Sequence, residues 1–295
     1  MEKINIVFIG SCTARDILCT DLTYINDFDF LGNYYGSISR SNYKPGLVAE
    51  RLQEEFIKTR PPFIHHLIND QINMITKKKT PRNLVNNLPP NTVVLLDYAY
   101  ELLNFYTKGS ETFDLHANYS NIRVHLPQWL REDILKNFKY FDSNTIEMAY
   151  RQFHEIYDFY KMLKSNNIPV IVFTNTYSSK VYDKTTNKIG EILNIFNKRM
   201  FYQANVLNDE MMQYKYSLKI IKNFYEQIYK RIDQSDFFEI PLTDVYADPD
   251  HKHGYHPVHY HYTCRVVLHK LLKSKIIETL AKSKTNSIQQ QQIII

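Results

Sequence analysis

The chain has 295 residues, 44% of them hydrophobic, with a formal net charge of +5 and a pI near 8.8. That length and apolar content exclude a disordered or fibrous chain and allow one large α/β domain or two small ones. Three cysteines, Cys12, Cys19 and Cys264, are too few and too odd a set for a disulfide framework, and the basic residues are spread out rather than gathered into a stripe for nucleic acid.

Taken from the N-terminus, Met1-Glu2-Lys3 leads directly into a strand-length apolar segment with no leader-like h-region or cleavage site. No run approaches the ~18 apolar residues of a membrane span, so the expectation is a soluble cytoplasmic protein. Residues Ile4–Ile9 read INIVFI, a β-branched run suited to a buried parallel strand. They stop at Gly10-Ser11-Cys12-Thr13-Ala14-Arg15-Asp16, after which Ile17, Leu18 and Leu22 mark a helix face. A strand that halts at glycine and turns into a helix presents its loop at a sheet edge and leaves backbone N–H groups there. A thiol or hydroxyl in such a loop has the setting of a nucleophile beside an oxyanion site.

Further strands are predicted at Phe28–Tyr34, Thr92–Leu96, Val170–Phe173 and Phe237–Ile240. Helical periodicity covers Leu47–Ile57, Leu67–Ile75, Thr145–Leu163, Ile189–Val206, Met211–Ile232 and Tyr262–Leu280, the last with Val266, Val267, Leu271, Leu272, Ile276 and Ile277 inward. Lys77-Lys78-Lys79 reads as a solvated helix end. The alternation of strands and helices predicts one α/β domain over residues 1–282, a parallel sheet with helices on both faces. Residues 108–143, with Pro127 and the single tryptophan Trp129, read as an inserted lid or helical excursion. Residues 283–295, with Gln289–Gln292, read as a disordered tail.

A second chemistry-bearing stretch follows the last predicted strand. It reads Asp248-Pro249-Asp250-His251-Lys252-His253-Gly254-Tyr255-His256-Pro257-Val258-His259-Tyr260-His261 and holds five of the eleven histidines. In a doubly wound sheet this loop and the Gly10–Asp16 loop both belong at the carboxyl edge, where ligands bind. Nucleophilic catalysis needs a nucleophile, an imidazole to take its proton and a carboxylate to orient that imidazole. Cys12 or Ser11 can supply the first, the histidine cluster the second, and Asp248 or Asp250 the third, through Asp248-x-x-His251 or Asp250-x-x-His253. Arg15 and Asp16 are either a helix-start ion pair or an anion site; Arg40 is either a surface residue or a substrate contact; Asp97 caps the following helix or serves the site. His-x-His and His-x-x-His spacings occur, but no Cys pair or Glu-bearing helical motif accompanies them, so no metal is expected.

The stretch GSCTARD resembles the first block of the SGNH (GDSL) hydrolase superfamily. It is especially similar to the GDS-x-x-R form of plant glycan O-acetyl esterases and transferases (the PC-esterase group) and to bacterial GSC-motif families such as GSCFA. Aligned on Gly10, Ser11 takes the Asp slot, Cys12 the nucleophile slot and Arg15 the Arg, and Asp248–His251 is similar to the C-terminal D-x-x-H block. The resemblance implies a three-layer α/β/α sandwich, SGNH-hydrolase or flavodoxin-like, with a five-stranded parallel sheet. It also implies a triad of Cys12, His251 and Asp248, with Ser11, His256, His259 and Asp250 as alternates. Gly32 or Gly36 would serve as the oxyanion glycine, and Asn69, Asp97 or Asn175 as the Asn block.

The expected function is an esterase or O-acyltransferase acting on a glycan or glycan precursor. No resident cofactor is implied; a transferase would draw on an acyl donor such as acetyl-CoA. The competing reading is a non-catalytic module that binds a glycan or partner in a polysaccharide or secretion assembly. A His-rich metalloenzyme is the third.

Overall fold

The computed structural model describes residues 3–10, 12–19, 28–34, 80–98, 105–108, 111–114, 136, 139–141, 146–174, 178–191, 226, 230–240, 245–251 and 259–293. The helices expected at 47–57 and 67–75, and most of those at 189–206 and 211–232, lie outside these residues.

Five strands form the central sheet: β1 (Ile4–Ile9), β2 (Phe28–Tyr34), β3 (Thr92–Asp97), β7 (Val170–Thr174) and β10 (Phe237–Glu239). Every pairing is parallel, and the order is β2-β1-β3-β7-β10. This is the doubly wound order 2-1-3-4-5. All five expected strands appear, within about a residue at their ends. Their β-branched and aromatic residues suit a sheet buried on both faces.

Alternation along each strand divides the core in two. Val7 and Ile9, Val94 and Leu96, Val170 and Val172, and Phe237 meet Phe153, Ile156, Phe159, Tyr160 and Leu163 of the helix Ile146–Ser165, α3. The other face carries Ile6 and Phe8, Val93 and Leu95, Ile171 and Phe173, and Phe238. Against it lie Ala14, Ile17 and Leu18 of α1 (Cys12–Leu18) and Cys264, Leu268, Leu272, Ile276 and Leu280 of α4 (Tyr262–Ile293). Helices therefore cover both faces of an α/β sheet.

Helix α3 ends in a Schellman motif. Asn167 takes a positive φ of 54°, Ile168 N–H donates to the Leu163 carbonyl at 2.9 Å, and Asn167 N–H donates to that of Lys164 at 3.0 Å. Pro169 then cannot continue the helix, and the chain enters β7. Near the same sheet edge the Tyr160 hydroxyl donates to Asp236 Oδ2 at 2.6 Å, and Lys164 Nζ lies 2.9 Å from that oxygen.

Four expectations are corrected. For residues 108–143 the helical alternative gives way, among the described residues, to strands. The strands β4 (Phe105–Lys108), β5 (Glu111–Asp114) and β6 (Lys139–Phe141) form an antiparallel sheet in the order β5-β4-β6. Residues Ile189–Glu191, placed at the start of a helix, belong instead to β9 (Lys188–Glu191), paired antiparallel with β8 (Lys180–Asp183). The turn between them explains this: Asp183 accepts the Thr185 N–H and Asn187 adopts a φ of 54°, local chemistry that outweighs helical periodicity.

Helix α4 runs on to Ile293 where a disordered tail was expected, because 281–293 contains no Gly or Pro and is rich in good helix formers. Its inward row is 264-268-272-276-280, a strict four-residue repeat. Val267, Leu271 and Ile277, expected inward, are 58%, 48% and 50% exposed. Among the described residues no helix is long and apolar enough to cross a membrane.

Candidate functional site

From β1 the chain passes to β2 on one side, and β3 then pairs on the other, so the topological switch point lies between β1 and β3. At their carboxyl ends Gly10 meets Asp97. Gly10 has a φ of +142°, and a Cβ there would fall 2.2 Å from the Asp97 carbonyl oxygen and 2.5 Å from Asp97 Cβ. Only glycine allows the two strand ends this approach. Asp97 is thus held at the switch point, 2% exposed.

Two residues after Gly10, α1 begins. Cys12 opens it in the backbone, and Thr13, Ala14, Asp16, Ile17 and Leu18 are buried while Arg15 is half-buried. Ser11, the Cys12 side chain, Gly36, Arg40, Asn69, Asn175, His253 and His256 lie outside the described residues.

The described ends of the histidine stretch are stitched to β8 through Ala247. Ala247 bridges Val181 in parallel and Tyr260 antiparallel. Ala247 N–H donates to the Lys180 carbonyl at 2.8 Å, Asp248 N–H to that of His259 at 2.8 Å, and His261 N–H to that of Tyr246 at 2.9 Å. Val181, Val245, Ala247 and Tyr260 are buried. Tyr182, Tyr246 and His261 cluster as neighbouring rings, with centroids 4.8 to 6.3 Å apart.

The stretch brings His251 to α1. His251 Nε2 lies 3.3 Å from Asp16 Oδ2, with the two side chains 1% and 4% exposed. This is a contact of ion-pair length between groups 235 residues apart in sequence. The His259 ring stacks on that of His251, centroids 4.2 Å apart and planes 25° from parallel. Arg15 Nη2 stands 3.9 Å from the other Asp16 oxygen, Oδ1. The two stretches singled out from the sequence therefore meet through Asp16 and His251.

The carboxylates expected to orient the imidazole are engaged elsewhere. Asp248 Oδ1 accepts the Asp250 N–H at 3.0 Å, an Asx-turn that closes the chain on itself. Asp250 Oδ2 pairs with Lys184 Nζ, out in solvent. The carboxylate described beside His251 is Asp16, which the sequence offered only as the companion of Arg15.

Gly32 is also corrected. It pairs with Val7 inside the sheet ladder, and a Cβ on it would meet Leu84 Cδ2 at 3.0 Å. Its smallness accommodates Leu84, the last residue of the short helix α2 (Pro81–Leu84), and it does not stand at the carboxyl edge.

Of the other cysteines, Cys264 is buried on α4, where burial pushes its thiol up. Among the described residues no group of three or more His, Cys, Asp or Glu side chains is arranged to hold a metal ion. A polar cleft of about 160 Å³ among Lys164, Asp233, Asp236 and Lys282 lies at the opposite, amino edge of the sheet, with Lys164 paired to Asp236 and Lys282 to Glu278.

A signal for Asp16 existed in the sequence: an acidic residue next to Ile17 and Leu18, in a stretch whose apolar side chains must face the sheet. Searches of protein-family models and of curated proteins give no match to this chain.

Proposed function

We propose that the chain is an SGNH-like acyl-transfer enzyme, an esterase or O-acyltransferase acting in the cytoplasm on an O-acylated glycan or glycan precursor, with Cys12 as nucleophile and His251 as general base. The observation that supports this best is the buried Asp16–His251 contact at 3.3 Å, because it joins the GSCTARD segment to the histidine segment at one sheet edge. The switch-point position of Gly10 and Asp97 supports it as well.

In the first half-reaction the Cys12 thiol gives its proton to His251, the sulfur forms a bond to the ester carbonyl carbon, and the acyl C–O bond breaks. The departing alkoxide takes the proton back from the imidazolium and leaves as an alcohol. In the second half-reaction water or a sugar hydroxyl gives its proton to His251 and attacks the thioester. The C–S bond breaks, and the thiolate recovers the proton. Hydrolysis and transfer share this intermediate and differ only in the acceptor. A transferase would use an acyl donor such as acetyl-CoA in place of the first ester.

Alkylation of Cys12 by iodoacetamide at neutral pH tests the reading, followed by mass spectrometry and paired with turnover of model acyl esters. A thiol beside a base reacts far faster than a free thiol of pKa about 8.5. Cys12→Ala should abolish turnover with the fold intact, and Ser11→Ala should cost much less. The reverse order would move the nucleophile to Ser11. Ordinary alkylation with no turnover would refute catalysis and favour a glycan-binding module.

A further inference from the structure

We propose that the outer face of α4 is a membrane-docking surface, which lays the protein on a bilayer bearing anionic headgroups. This holds whether or not the switch-point site transfers acyl groups.

Charge points there first. Helix α4 carries six Lys and Arg side chains against Glu278 alone, a net +5. The whole chain has 36 Lys and Arg and 31 Asp and Glu. Taking away six and one leaves thirty of each, so the rest of the chain balances and α4 holds the entire net charge. A field gathered on one helix draws that helix toward opposite charge.

The same face is apolar where a solvated helix is polar. The row 264-268-272-276-280 packs on the sheet, yet Val267, Leu271 and Ile277 stand 58%, 48% and 50% exposed. At 3.6 residues per turn these three fall within an arc of about 120°. The exposed Ser274 and Ala281 lie inside that arc and add no bulk. The exposed Lys270 lies within it as well, and Lys282 and Lys284 lie at its margins. Glu278 is offset by Lys282, 2.7 Å away. Lysine stems can lie along apolar surface while their ammonium groups stay among the headgroups.

The two features together select the occupant. Nucleic acid would use the lysines but offers its phosphates little from Val, Leu and Ile. A neutral apolar groove on a protein would use the stripe but gains nothing from a net +5. An anionic bilayer uses both, with the aliphatic side chains at the headgroup–acyl boundary and the ammonium groups on the headgroups. Three half-exposed aliphatic side chains are a weaker anchor than one myristoyl chain, which alone binds only marginally, so anionic lipid is required. Docking leaves the row packed on the sheet undisturbed.

Co-sedimentation of the full chain with vesicles tests this. The vesicles are phosphatidylcholine alone, or phosphatidylcholine and phosphatidylglycerol at about three to one, in about 0.1 M or about 0.5 M NaCl. Binding is expected to the mixed vesicles at low salt, and at least about tenfold less at high salt or on phosphatidylcholine. Each lysine near an anionic surface contributes about fivefold in affinity, so Lys270→Gln with Lys284→Gln should bind roughly 25-fold more weakly. The matched pair Lys161→Gln with Lys184→Gln, exposed but outside α4, should change binding by less than about twofold. Val267→Gln with Leu271→Gln should weaken it by roughly tenfold or more. Thermal melts check that each variant stays folded.

No wild-type binding to the mixed vesicles overturns the proposal. So does equal weakening by the two lysine pairs, which would make the attraction one of total charge. Undiminished binding by Val267→Gln with Leu271→Gln overturns it too, since the stripe would then be unused. A protein that ignores the vesicles but retains a short DNA duplex or polyglutamate at the same salt would assign α4 to a macromolecular polyanion instead.

Discussion

Gly10→Ala is the most demanding perturbation the fold offers. Two costs add at this position. The φ of +142° lies where side chains other than glycine's are strained, worth about 1–3 kcal/mol. The new methyl would also sit 2.2 Å from the Asp97 carbonyl oxygen and 2.5 Å from its Cβ. These atoms cannot rotate aside, because they belong to the end of β3, whose Leu96 pairs with Ile9 of β1. Overpacking of this kind costs about 1–3 kcal/mol. The sum, about 2–6 kcal/mol, is a large share of the ~5–15 kcal/mol that holds a domain folded.

Gly32→Ala is the control. Its methyl meets only Leu84 Cδ2 at 3.0 Å, the movable end of a side chain. Alanine in a strand recovers about 0.5–1 kcal/mol of glycine's backbone entropy, so the net change should be near zero. Urea unfolding followed by circular dichroism reads both, with the Gly10→Ala midpoint well below wild type and the Gly32→Ala midpoint close to it. Equal midpoints for wild type and Gly10→Ala, or a larger loss in Gly32→Ala, would refute the claim that the switch point is set by backbone contact at Gly10.

Tyr160→Phe should destabilise by about 1–3 kcal/mol, since it takes a hydrogen bond from the buried Asp236 carboxylate. Burial, followed by the Asp236 hydrogen bond, holds the Tyr160 phenol well above its ordinary 10.0. The native protein then keeps a proton that the unfolded chain releases, so this stabilisation is complete below about pH 10 and declines as pH rises further. Urea midpoints measured across that range should fall in the wild type and fall less in Tyr160→Phe. On α4, Leu272→Ala should cost about 2–5 kcal/mol, whereas the neighbouring Leu271→Ala, 48% exposed, should stay within about 0.5 kcal/mol. A reversal in thermal melts would mean that the helix is rotated from the face described.

The central sheet was legible because it is buried on both faces. Each of its strands is a short apolar run with no competing period, and INIVFI or TVVLLD has no other low-energy use in a chain of this composition. The rest depended on turns and on how wide a face each helix buries. The hairpin of β8 and β9 hangs on Asp183 and Asn187, whose turn chemistry interrupts a segment that otherwise scans as helix. On α4 the apolar residues run around more than half of the helix, so periodicity alone could not choose between Leu271 and Leu272. The contact with β1, β3 and β7 selects the narrower 264-268-272-276-280 row.

The site divides along the same line. Its location followed from chain order, since both chemistry-bearing loops leave the carboxyl ends of strands in a doubly wound sheet. Its wiring did not, because proximity in sequence misleads for short polar side chains. Asp248 lies three residues before His251, and that closeness draws it into a local turn: its carboxylate reaches the Asp250 amide before it can reach the ring. Asp16, with Arg15 Nη2 3.9 Å from its Oδ1, also reaches a group distant in sequence. Buried on a helix flanked by Ala14 and Ile17, it needs a polar partner from elsewhere in the fold to offset its desolvation. The stretch bearing His251 supplies one only because β8 and Tyr260 anchor it over that side of the sheet. A carboxylate buried on a helix that packs against the sheet is thus a better guide to a long-range contact than one that stands at a familiar spacing.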